Sequence, residues 1–216
     1  NISITITSSN KAPPVFTSPP NFDVNENDID IGLVSATDAD GDELTFSVSG
    51  ADEYYISIGA TTGNLVFNSP PNYESRSEYS VSVIVSDGDK TTTQEVSIFI
   101  IDVNEAPFFR DEWRDEKYEM LPGPDFSIDE NFSNSTYFGK FTPVDEDDDE
   151  MIFTISGDDI RISGYDKLYW VDSPDFEQQS FYQAILTISD GELSSSQAIT
   201  VSIRDLDDES PIFVSS

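Results

Sequence analysis

The chain of 216 residues contains no cysteine and no histidine. Without cysteine, no disulfide staples the fold and no thiolate holds a metal. Without histidine, the commonest general base and the commonest transition-metal ligand are gone, so zinc, copper and iron sites of the usual kind are not expected. Basic residues are scarce as well: 10 Lys and Arg stand against 43 Asp and Glu, a formal net charge of -33. Such a chain repels phosphate backbones and anionic headgroups, which disfavours nucleic acid and membrane surfaces as partners. No apolar run approaches the ~18–20 residues that span a bilayer, so direct membrane insertion by this segment is not expected. A glycine-rich phosphate loop is also missing. The metal chemistry that survives is a hard cation on oxygen ligands.

What the chain does have is apolar residues at a period of two. Hydrophobic residues make up 37% and aromatics 12%, enough to build cores. Leu44–Ser49 (LTFSVS), Tyr79–Val85 (YSVSVIV), Val96–Ile100 (VSIFI), Ile152–Ser156 (IFTIS), Ala184–Ile188 (AILTI) and Ala198–Ile203 (AITVSI) alternate or nearly so. They are rich in β-branched residues and bounded by Gly, Asp, Asn, Ser and Pro, the pattern of strands and turns. No stretch has a convincing helical period. Short strands at regular spacing predict an all-β sandwich. The opening alternation, Ile2-Ser3-Ile4-Thr5-Ile6-Thr7, reads as a strand entering from a longer protein, so the chain is expected to be a fragment whose anchor, if any, lies elsewhere.

An internal repeat is visible by eye. Thr37–Gly50 (TDADGDELTFSVSG) returns as Val144–Gly157 (VDEDDDEMIFTISG), 107 residues on. Asn25-Glu26-Asn27 returns as Asp129-Glu130-Asn131, Tyr73-Glu74 as Phe176-Glu177, and Ser86-Asp87-Gly88 as Ser189-Asp190-Gly191. Asp102–Pro107 (DVNEAP) corresponds to Asp205–Pro211 (DLDDESP). A period near 100 residues is a domain rather than a solenoid turn. Residues 1–12 are therefore expected to end a preceding repeat, 13–107 and 108–211 to form two repeats, and 212–216 to begin another. The second repeat carries an insertion near its start, including Trp113, Met120 and Pro122-Gly123-Pro124, expected as a surface loop or an extra edge strand.

The residues kept between the repeats are mostly acidic and mostly at strand ends, whereas strand interiors keep only their pattern. Turns favour Asp for local hydrogen-bonding reasons, which accounts for scattered aspartates. It accounts poorly for Glu, a weak turn former, recurring at Glu26 and Glu130 and at Glu74 and Glu177. Calcium explains both residue types. It takes six to eight oxygens at about 2.3–2.6 Å and accepts bidentate carboxylates, and clustered carboxylates repel unless a cation sits among them.

These stations resemble tandem cadherin repeats over almost the whole chain. In that family an acidic residue stands near the start of each repeat, matched by Glu26 and Glu130. An A-T-D-A-D-G motif is matched by Ala36–Gly41, a D-R-E or D-Y-E motif by Asn72-Tyr73-Glu74 and by Asp175-Phe176-Glu177, and a lone Asp after a strand by Asp87 and Asp190. The resemblance implies seven-stranded Greek-key, immunoglobulin-like sandwiches with calcium between consecutive repeats. It implies a central junction of Glu26, Asn72, Glu74, Asp102, Asn104 and Glu105 from the first repeat with Asp145, Asp147 and Asp190 from the second. Glu130, Asp175, Glu177, Asp205 and Asp208 would face a following repeat, and Asp38, Asp40 and Asp87 a preceding one.

Departures modify the expectation. Asn72 and Glu105 stand where the family has Asp. The linker Asp102–Pro107 is one residue short, a form closer to the cadherin-like repeats of bacterial surface proteins. Upstream, Lys11 carries the wrong sign in Ser8–Pro13, so calcium there is expected to bind weakly. The Trp-bearing exchanged strand of vertebrate adhesion cadherins is not matched by Trp113 or Trp170.

The expected function is that of extracellular, calcium-dependent adhesion and spacer repeats and not of an enzyme, with calcium and another surface protein, a second copy included, as partners. The alternative is a polysaccharide-binding module, with Trp113, Trp170, Tyr54, Tyr55, Tyr165 and Tyr169 as the aromatic platform.

Overall fold

In the computed structural model, residues 12–115, 120–121 and 125–208 are described. Every regular element among them is a β-strand, and no helix is long and apolar enough to cross a membrane. The chain divides into two compact units between Val103 and Asn104.

The first unit runs β1 (Val15–Phe16), β2 (Asn21–Asn25), β3 (Asp30–Leu33), β4 (Ala36–Thr37), β5 (Thr45–Ser49), β6 (Ile56–Ile58), β7 (Asn64–Phe67), β8 (Glu78–Ser86) and β9 (Thr91–Ile101). One sheet has the order β2-β9-β8-β5; facing strands pair as β3-β7-β6 and β1-β4. β2 runs parallel to β9, and the other pairs are antiparallel. β1 and β2 are two halves of one leading strand that changes sheets, and β3 and β4 are halves of the next. Counted so, the unit is a seven-stranded sandwich.

The second unit repeats this plan with β10 (Phe108–Asp115), β11 (Met120–Leu121), β12 (Asp125–Asp129), β13 (Gly139–Val144), β14 (Ile152–Ile155), β15 (Ile160–Ser163), β16 (Lys167–Trp170), β17 (Phe181–Ser189) and β18 (Ser194–Arg204). Its sheets are β12-β18-β17-β14 and β11-β10-β13-β16-β15. β12 lies parallel to β18, as β2 does to β9. The insertion supplies β11, which pairs with β10 at the sheet edge through Trp113↔Leu121 and Arg114↔Met120; Pro122-Gly123-Pro124 lies outside the described residues.

The alternation seen in the sequence is the alternation of burial. On β8, Tyr79, Val81, Val83 and Val85 point inward, and β9 adds Val96, Ile98 and Ile100. On β17 and β18 the inward residues are Ala184, Leu186, Ile188, Ile199, Val201 and Ile203. Each side chain of this size contributes roughly 1.5–3 kcal/mol when fully buried. The second core is the more aromatic one: Phe138 stacks on Trp170 at 4.9 Å, and Phe126 meets Phe138 edge-on at 5.5 Å. Gly139 makes room for this packing, since a Cβ there would lie 2.6 Å from the Phe126 ring.

One sequence expectation is corrected here. Trp170 is not part of a sugar platform. It is the inward-facing end of β16 and is 1% exposed.

Candidate metal centres

The stations at the start of each unit are turns that use only half of each carboxylate. In the first unit, Asp38 Oδ1 accepts the amides of Asp40 at 2.8 Å and Asp42 at 3.4 Å. In the second, Asp145 Oδ1 accepts those of Asp147 and Asp149, both at 3.1 Å. The other oxygens, Asp38 Oδ2 and Asp145 Oδ2, are buried with no hydrogen-bond partner, and so is Asp147 Oδ1. A buried carboxylate oxygen without a donor costs about 1–3 kcal/mol, and a bound cation removes that cost. Carboxylate oxygens of Asp38, Asp40 and Asp42 lie within 4.8 Å of one another, as do those of Asp145, Asp147 and Asp149. Burial, then the charges of Asp38, Asp40 and Asp87, push the Asp42 carboxyl above its ordinary range.

The lone aspartates sit in hairpin turns beside these clusters. Asp87 Oδ1 accepts the amides of Asp89 and Lys90 at 2.8 and 2.6 Å, and Gly88 takes φ 94° to let the turn close. Asp190 Oδ1 accepts Glu192 and Leu193, both at 2.6 Å, while its Oδ2 accepts the side-chain amide of Asn104 at 3.0 Å. Burial opposes the Asp190 charge, but the Leu193 and Glu192 amides and Asn104 outweigh it and hold the carboxyl below its ordinary range. Where the chain enters each unit, its backbone meets the same cluster: the Ala12 amide donates to Asp40 at 2.9 Å, and the Glu105 amide to Asp147 at 2.9 Å.

At the exit of each unit the acids form a second constellation. Glu26 is 3% exposed; its Oε2 accepts the Tyr73 amide and its Oε1 the Val103 amide, both at 2.9 Å. Glu130, also 3% exposed, accepts Phe176 at 3.0 Å and Leu206 at 2.6 Å in the same way. The residue after each is an asparagine in the left-handed region, Asn27 at φ 64° and Asn131 at φ 57°. Their amides donate to the carbonyls of Pro71 and Pro174. This explains the recurring Glu-Asn pair: the glutamate ties three segments together and the asparagine turns the chain away.

Carboxylate oxygens of Glu74 lie within 4.8 Å of those of both Glu26 and Asp102, and those of Glu130, Glu177 and Asp205 are equally close. The Glu177 carboxyl accepts from its own backbone amide, but burial and the nearby Glu130 and Asp205 outweigh this and push it up.

Three further predicted ligands also make local hydrogen bonds. Asn72 Oδ1 caps a turn by accepting the Ser75 amide at 2.7 Å. Asp175 does the same for Gln178 at 3.0 Å, and the Gln178 side chain adds a bond at 2.6 Å; these hold the Asp175 carboxyl below its ordinary range. Asp208 accepts the Asn131 side-chain amide at 2.6 Å. Two acids that sequence reasoning passed over, Asp42 and Asp149, complete the entry clusters. Their signal was present as the Asp-x-Asp-x-Asp spacing of both repeats. Lys11 lies outside the described residues.

The aromatic alternative fares differently. Tyr54 is 84% and Tyr55 47% exposed, but their rings stand at 87° to each other, which is no flat platform.

A family profile described as a bacterial Ig domain matches residues 10–99. Among curated proteins, the chain is 32% identical over 117 residues to cadherin-related family member 2 of Mus musculus, covering 49% of the chain and 9% of that protein. It is 27% identical over 195 residues to protocadherin-15 of Homo sapiens, covering 85% of the chain and 10% of that protein. The chain thus spans about a tenth of the length of these relatives. Among solved structures, human protocadherin-24 EC1-2 superposes with TM-score 0.60 at 20% identity, covering 91% of this chain and all of the other. The two units share the β-sandwich fold of that two-repeat structure.

Proposed function

We propose that these repeats bind calcium at their entry and exit clusters and serve as extracellular adhesion and spacer modules. In this reading Asp38, Asp40, Asp42 and Asp87, and likewise Asp145, Asp147, Asp149 and Asp190 with Asn104 and Glu105, are ligands at the entries. Glu26, Glu74 and Asp102, and Glu130, Glu177 and Asp205, are ligands at the exits, with Asn72, Asp175 and Asp208 bracing the loops that carry them. The exit ligands of one repeat and the entry ligands of the next share ions, which fixes the angle between repeats. The single observation that carries this reading is the split carboxylate: Oδ1 of Asp38 and Asp145 satisfies a turn, and Oδ2 is buried with nothing to bond. A turn-forming role accounts for the first oxygen only.

Extracellular calcium modules bind with dissociation constants of about 0.1–1 mM. Calcium at a hundred times its dissociation constant stabilises the bound form by roughly 2.7 kcal/mol per site. Millimolar calcium outside a cell loads such sites and submicromolar cytosolic calcium does not, which supports a surface location. The short Asp102–Pro107 linker and the bacterial Ig match of the first repeat support a bacterial surface protein as the parent, with another surface protein as the bound partner. No catalysis is assigned.

The test is a thermal melt in EDTA, in magnesium and in about 5 mM calcium, with a Glu74→Ala, Asp145→Ala variant alongside. The proposal expects a rise of several degrees with calcium alone, reduced in the variant, which keeps the Asp38 and Glu130 clusters. Equal melts in calcium and EDTA contradict it.

A further inference from the structure

The first unit carries its own cation in a side cleft. Arg76 lies 4.3 Å from the centre of the Tyr79 ring and 5.7 Å from that of Tyr55, and its Nη2 bonds Asp52 at 2.6 Å. Its Nε donates to the Glu78 carbonyl at 2.7 Å. Beneath it, Phe67 and Tyr79 meet edge-on at 5.0 Å.

The second unit has the same cleft without that cation. Trp170 and Tyr182 reproduce the edge-on pair at 4.8 Å. Gln179 stands at the Arg76 station and makes the same backbone bond, Nε2 to the Phe181 carbonyl at 2.8 Å, but has no guanidinium to offer. The cleft is about 210 Å³ and is lined by Asp159, Asp172 and Asp175 over Trp170 and Tyr182. Burial, then the charges of Asp159 and Asp175, push the Tyr182 hydroxyl up. Four cations of this unit are engaged elsewhere: Lys140 with Asp166, Arg204 with Asp129, Arg161 over Tyr169 and Lys167 over Tyr137. A second observation is independent of the acids. Trp170 replaces Phe67, and its indole N–H is buried with no acceptor. A buried donor left without a partner is costly, and an incoming carbonyl oxygen relieves it.

We infer that this cleft binds an arginine side chain of a partner protein, in the geometry that Arg76 takes within the first unit. The guanidinium lies against Tyr182 and bonds Asp159, with Asp172 and Asp175 supplying further negative charge, and a carbonyl of the same partner segment approaches the Trp170 N–H. Arginine is selected over lysine because its planar fork both stacks and bonds a carboxylate.

The test is the indole N–H resonance of Trp170 in the whole chain, in saturating calcium, titrated with N-acetylarginine amide and, separately, N-acetyllysine amide. The inference expects a saturable shift with the arginine probe at millimolar concentration, about tenfold weaker with lysine. Gln179→Arg fills the cleft from within, so it abolishes the shift and raises the melting temperature. Asp159→Asn weakens probe binding without filling the cleft and serves if Gln179→Arg misfolds. An unmoved Trp170 resonance, equal response to the two probes, or a shift untouched by Asp159→Asn overturns the inference. Because calcium is saturating and no residue of the entry clusters is changed, failure here leaves the calcium reading standing.

Discussion

The carboxylate of Glu26 accepts the amide of Val103, 77 residues further along the chain, at 2.9 Å. The leading strand of the repeat is thereby tied to the point where the chain leaves it, and Glu130 ties Leu206 identically. Both glutamates are buried and each holds two amides, so truncation strands two donors at once. Glu26→Ala should cost about 3–6 kcal/mol even without calcium, since each of the two bonds lost to a charged group is worth ~1.5–3 kcal/mol. Urea unfolding in EDTA reads this directly. Glu26→Gln keeps one acceptor and turns an NH2 toward the other amide, so it should fall between wild type and Ala.

Asn27 separates conformational from chemical roles. Its φ of 64° favours glycine or asparagine. Asn27→Gly should leave the melting temperature within a degree or two, whereas Asn27→Val should lose about 1–2 kcal/mol to backbone strain. If both lose equally, the asparagine side chain rather than its backbone is what matters.

Arg76 and Asp52 set a pH dependence in the first unit. Burial raises the Asp52 carboxyl, but its bond to Arg76 and the Ser80 amide outweigh burial and hold it below its ordinary range. The unfolded chain therefore binds the proton first as pH falls. The stabilisation is complete above about pH 4, the unfolded value, and is lost as pH falls through the lower folded value. Arg76→Gln should cost roughly 1–3 kcal/mol at neutral pH, because Asp52 is left buried without its cation. It should also flatten this part of the acid limb. Denaturation curves from pH 6 to pH 2, at about one-unit steps, check both.

Much of this architecture was readable beforehand, for identifiable reasons. Period-two alternation reports which faces of β8, β9, β17 and β18 are inward, because successive side chains on a strand point to opposite faces of the sheet. The acidic stations were visible because two copies could be compared within one chain. The alternation of Lys167-Leu168-Tyr169-Trp170 places Leu168 and Trp170 on one inward face, which removes Trp170 from the candidates of the alternative sugar-binding reading. Asp52 and Arg76 were not legible as a pair. They are 24 residues apart, and the second repeat has no arginine at that station to draw attention to them. Asp42 and Asp149 extend the two-aspartate pattern by one more station, because the turn that closes on Asp38 Oδ1 brings a third carboxylate into reach.

Calcium binding rests on the leftover oxygens of Asp38 and Asp145, and calorimetric titration of the apo chain with calcium tests them most directly. Saturable binding with constants of about 0.1–1 mM is expected, reduced in site number by Asp38→Asn and again by Asp145→Asn. Absence of saturable heat, or an isotherm that neither substitution changes, would show that these aspartates serve their turns alone.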